Sequence, residues 1–163
     1  MQITFACSHR HTIARLGPQG QAAFLESTPP ISVTPRWHER KKEIVRLGLK
    51  APDVDKSLRL YDRYLQMMEN ALAQSRWVAG DTFSLADIGL APYVNRLDMM
   101  GMSEMWTLAR PRVAAWFDRI KNRQTFKSAL LDWIPADLAA DLATFGAQSW
   151  SEARSILQAS GSR

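Results

Sequence analysis

The side chains that could do chemistry near the start of the chain are Cys7, His9 and His11. A thiol becomes a nucleophile where a basic neighbour or a helix N-terminus lowers its pKa, and the sequence identifies no such setting for Cys7. It reads as a small buried hydrophobe, and as the sole cysteine it excludes an internal disulfide and fits a reducing compartment. His9 and His11 are two apart and lack cysteine or carboxylate companions at ligand spacing, so no metal site is expected. Further on, Ser84-Leu85-Ala86-Asp87 has the pattern of a capping box. Ser84 accepts from the backbone N–H of Asp87, while the Asp87 carboxylate reaches back to the N–H of Ser84. Phe83 and Ile88 flank the box as a hydrophobic staple. This is the chemistry of a helix end, not of a reaction.

The elements that must hold these residues are helices almost throughout. From Pro52 to Gln74, Val54, Leu58, Tyr61, Leu65, Met68 and Leu72 alternate at spacings of four and three, which puts all six on one stripe. Pro52 is expected in the first turn, with Asp53 and Asp55 at its positive end. An earlier helix is expected to open at Thr34-Pro35 and to end at a left-handed Gly48. The helix after the capping box carries Pro92 and should kink there. Arg110-Pro111 opens a helix with Val113, Trp116, Phe117 and Ile120 on one face. Pro135 opens another through Leu138, Leu142 and Phe145, with Gly146 to stop it and Ser149-Trp150-Ser151-Glu152 as a second capping box. At the start, Ile3, Phe5 and Cys7 alternate like a strand, yet no partner strand is offered elsewhere. A helix with Ile3, Cys7, Ala14 and Leu16 on one side is preferred. Gly17-Pro18 and Thr28-Pro29-Pro30 mark turns.

One domain, residues 1–163, is expected at this length, large enough for its own core. No apolar run is long enough to span a bilayer. Residues 1–8 have no basic region before them and meet His9, Arg10 and His11 at once, unlike a secretory signal, so a cytoplasmic location is expected. Much of the net charge of +5 comes from Arg36, Arg40, Lys41, Lys42, Arg46 and Lys50. Glu39 and Glu43 interleave at helical spacing, which favours a solvated helix face with local ion pairs over a nucleic-acid surface.

Trp77, Gly80, Asp81, the capping box and Pro92-Tyr93 together resemble the all-helical second domain of the soluble glutathione transferases. The likeness is strongest between residues 55 and 131, and Arg110-Pro111-Arg112-Val113-Ala114-Ala115-Trp116-Phe117 extends it. Residues 134–158 more loosely resemble a C-terminal helical extension of some bacterial members. The resemblance implies an all-α, glutathione-transferase C-terminal-domain-like helical bundle without a sheet. It implies that the thioredoxin-like first domain, which binds glutathione and carries the catalytic Ser, Tyr or Cys, lies outside this sequence. No catalytic residue is therefore assigned, and no cofactor is expected on this chain alone. Glutathione would be the cosubstrate where the first domain is supplied, and a homodimer through the first helices is part of the family pattern.

What the resemblance leaves to this chain is the wall for an apolar electrophile. Phe5, His9 and Thr12 share one helix face, and Tyr93, Arg96 and Trp106 stand at the other wall positions. Each has a packing role to set against this. Phe5 and Trp106 suit a core, and Tyr93 and Arg96 suit packing and an ion pair with Asp98. Met99, Met100 and Met102 could line an adaptable pocket, though methionines at a helix end more often fill gaps. Three readings follow: a transferase chain lacking its first half, a non-catalytic protein-interaction module on the same helical domain, and a small autonomous binder.

Overall fold

Helix replaces the strand alternative from the second residue onward. A computed structural model describes residues 2–27 and 37–159, and among these there is no strand. The expected Thr34-Pro35 start and the Thr28-Pro29-Pro30 turn, like Arg36, lie outside the described residues. Helix α1 (Gln2–Thr4) passes through a π-helical segment, Phe5–His9, into α2 (Arg10–Ala14). The wider π turn changes which face points inward. Ile3, Ala6, Cys7 and Ile13 are buried, whereas Leu16 is exposed, so the expected Ala14–Leu16 register is corrected. Gly17-Pro18 turns the chain directly into α3 (Gly17–Glu26).

Helix α4 (Trp37–Leu47) ends at Gly48, whose φ of 61° is the expected left-handed stop. Its basic face is less solvated than the spacing suggests. Lys41 is buried and donates to the carbonyls of Phe24 at 2.8 Å and Ser27 at 2.7 Å, tying down the end of α3. Arg40 pairs with Asp53 and Lys42 with Glu26. Helix α5 (Val54–Ala71) begins after Pro52, not at it, because Asp53 takes a left-handed φ of 63°. The Asp53 carboxylate is held there by Lys56 at 2.6 Å. Val54, Leu58, Leu65, Met68 and Leu72 of the expected stripe are buried, with Tyr61 partly so.

Trp77 and Gly80 exchange backbone hydrogen bonds in a tight turn that leads to α6 (Leu85–Met99). The capping box closes in both directions. Ser84 N–H donates to Asp87 Oδ2 at 3.0 Å, and Ala86 N–H donates to Ser84 Oγ at 3.3 Å. Phe83 and Ile88 line one small apolar hollow with Arg123, although Ile88 stays half exposed. Helix α6 runs through Pro92 without interruption.

After α7 (Glu104–Thr107), helix α8 (Pro111–Lys121) buries Val113, Trp116, Phe117 and Ile120 as expected. Its first N–H groups are capped from a distance. Glu69 of α5, itself buried, accepts from Val113 N–H at 2.9 Å and Arg112 N–H at 3.3 Å, and pairs with the Arg112 guanidinium. A carboxylate at a helix N-terminus is favoured by the dipole as well as by these bonds. A short α9 (Gln124–Ala129) follows.

The last element corrects the sequence reading. Helix α10 (Ala136–Gln158) is one uninterrupted helix through both Gly146 and Ser149. Gly146 is a crossing point rather than a stop, because a Cβ there would lie 2.5 Å from the Met100 carbonyl oxygen. Ser149 does not cap; its hydroxyl donates to the carbonyls of Phe145 and Cys7. Helix α10 thus packs on the π segment, α5 and α6.

Candidate functional site

The π segment, α6 and α10 bring together a polar strip beside an apolar groove. On the π segment, Phe5 and His9 stand edge to face with ring centroids 5.0 Å apart. Thr12 of α2 donates to Asp141 Oδ2 of α10 at 2.8 Å. Arg15 grips the same carboxylate with two bonds, 2.8 Å to Oδ1 and 3.1 Å to Oδ2. These hydrogen bonds, Arg15 first, hold the Asp141 carboxyl below its ordinary pKa. Burial, then the nearby positive charge of Arg96, pushes His9 below its ordinary value, with Asp141 opposing. His9 is therefore a neutral imidazole at neutral pH.

Arg96 follows Tyr93 by three residues, so both project from one side of α6. Burial and then the interaction with Tyr93 raise the Tyr61 phenol above its ordinary pKa, and Arg96 opposes them. The rings of Tyr61 and Tyr93 lie 6.4 Å apart at 57°. They front a groove of about 450 Å³ between α5 and α6, whose walls also include Leu60, Tyr64, Val94 and Leu97. The lining is apolar apart from the phenol tips, as in most small-molecule pockets.

The structure thus gathers Phe5, His9, Thr12 and Arg96 at the strip, with Tyr93 at the groove mouth and 57 % exposed. Trp106 is not part of this wall. It is 2 % exposed and packs edge to face on Phe117 in the core. The expected Arg96–Asp98 ion pair does not form, since residues two apart leave a helix on different sides. Met100 and Met102 are buried gap-fillers, and the Met99 sulfur accepts from Asn95. His11 stacks on Phe145 at 4.5 Å. Among the described residues no three His, Cys, Asp or Glu side chains group as metal ligands.

Sequence reasoning missed Asp141 and Arg15, which meet only because α10 folds back over α2. It counted Tyr61 as core. The signal for the groove was present in Leu60 and Tyr64, an apolar pair at helical spacing beside the main stripe.

The family model described as "Glutathione S-transferase, C-terminal domain" matches residues 36–119, which include Tyr61, Tyr93 and Arg96. The chain is 27 % identical over 78 residues to glutathione S-transferase GstB of Escherichia coli, covering 48 % of this chain and 36 % of that protein. It is 27 % identical over 107 residues to the tetrachloro-p-hydroquinone reductive dehalogenase of Sphingobium chlorophenolicum, covering 65 % of this chain and 43 % of the relative. Glutathione S-transferase PARB of Nicotiana tabacum is 29 % identical over 94 residues, 58 % of this chain and 44 % of its own. The chain spans less than half the length of each of these relatives. No solved structure gives a significant match.

Proposed function

Because the chain belongs to the glutathione S-transferase family through its C-terminal domain, we propose that it is the wall against which such an enzyme holds an apolar electrophile. The tyrosine-fronted α5–α6 groove carries this reading. In the reaction proposed, the thiolate of glutathione bonds to an electrophilic carbon and a group such as chloride leaves with the electron pair of the broken bond. The thiol-activating residue and the glutathione site belong to a thioredoxin-like domain, and this chain supplies position and water exclusion. One relative bears the name of a dehalogenase, which supports an aromatic halide among the substrates. A cytoplasmic location and a homodimer belong to the same reading. Among the described residues, no helix is long and apolar enough to cross a membrane.

Calorimetric titration with chlorodinitrobenzene should show saturable binding, and titration with glutathione alone should show none. Tyr93→Ala should weaken the aromatic ligand about two- to tenfold, the range of a lost ring contact. Absence of aromatic binding would sink the wall, and tight glutathione binding would sink the division of labour. A second reading, a protein-interaction module, is favoured by Leu85, Leu108 and Trp133, each about four-fifths exposed. That reading gains if the chain ignores aromatic ligands.

A further inference from the structure

The guanidinium of Arg96 has no acceptor among the described residues. Its Nη1 is buried with no hydrogen-bond partner, and no ion pair reaches the side chain. Arg119 shares one such orphan nitrogen, but its Nη2 donates to the Arg76 carbonyl. Arg110, Arg112 and Arg15 all have carboxylate partners. A half-buried guanidinium left without an acceptor is costly, because its desolvation is not offset.

The surroundings offer no free negative charge. Tyr61 and His9 are the groups that Arg96 influences most directly, and a phenol and a neutral imidazole do not neutralise a guanidinium. Asp141, the carboxylate close to His9, is already occupied by Arg15 and Thr12. Asp98 leaves α6 on another side. What remains is an unneutralised planar cation close to Tyr61 and one turn along α6 from Tyr93, two residues that line the groove.

We infer that the groove takes an aromatic acid, its ring against Tyr61 and Tyr93 and its anionic group on Arg96. This rests on the groove being the substrate wall, and it narrows the substrate class from apolar electrophiles to those carrying one negative charge. A single guanidinium suits a singly charged planar group such as a carboxylate, which it can hold through two parallel bonds. A phosphate ester would call for more positive charge than the strip provides.

The test is a fluorescence titration of the chain with naphthoate and with naphthamide, its neutral isostere. Naphthoate should bind about tenfold or more tightly, the usual scale for a charge-assisted bond. Arg96→Met should abolish that preference, and Arg96→Lys should keep part of it. Arg63→Met removes a positive charge from an exposed position on α5 and should leave the preference intact, which separates a specific contact from general attraction to a basic protein. Equal affinity of the wild-type chain for the two ligands overturns the inference without touching the groove, and so does a preference that survives Arg96→Met. If neither ligand binds, the wall reading itself fails and this inference with it.

Discussion

Asp87→Ala is expected to lower the unfolding free energy by about 3–5 kcal/mol, far more than the roughly 1 kcal/mol of an ordinary helix cap. Asp87 is fully buried and accepts four hydrogen bonds. Oδ1 takes Trp116 Nε1–H at 2.8 Å and Val78 N–H at 3.0 Å, and Oδ2 takes the Ser84 N–H at 3.0 Å and hydroxyl at 3.1 Å. Removing the carboxylate strands the indole and the Val78 N–H where water cannot reach them. Asp87→Asn keeps one acceptor but turns an NH₂ toward one pair of donors, so its loss should be intermediate. Burial is the largest single influence on this carboxyl and raises its pKa. The bonds from Val78, Trp116 and Ser84 together outweigh burial and hold it below the ordinary 3.8. A depressed folded pKa means the contribution is complete above the unfolded value and is lost as pH falls through the folded one. Urea unfolding along an acid series should therefore show wild-type stability dropping below about pH 4, with that part of the slope missing in Asp87→Ala. A variant as stable as wild type at neutral pH would refute the network.

Gly146→Ala is expected to cost about 2–3 kcal/mol, although alanine is the better helix former by about 1 kcal/mol. The added Cβ would sit 2.5 Å from Met100 O and 2.6 Å from Met100 Cα and Cβ. Most of the obstruction is backbone, so α10 must lift from the end of α6. Asp141 lies on the same helix, hence the Thr12 and Arg15 contacts should loosen as well. Denaturant titration reads the stability, and stabilisation by alanine would show that the crossing is not close.

Both residues show what a sequence does and does not reveal. The capping box was legible because its partners lie three apart, and so were the α5 stripe and the apolar face of α8, where local spacing and burial agree. That Asp87 also serves Trp116, and Glu69 the start of α8, depends on contacts across helices that no spacing encodes. Gly146 and Ser149 carried strong local signals for a stop and a cap. Tertiary packing used the first for its lack of a side chain and the second for a bond to Cys7. At the site, the face shared by Phe5, His9 and Thr12 could be found from spacing. Arg96's missing partner could not, because only the folded chain shows Asp141 already engaged and Asp98 on another side.

Cys7 is fully enclosed, and its thiol is pushed up to about 12, chiefly by burial. At neutral pH almost none of it is thiolate, so an alkylating reagent must wait until the first helices peel away from α10. The chain thus carries its own stopwatch. The labelling rate of this single thiol counts those openings, and a second cysteine placed on the groove rim would react against a silent background.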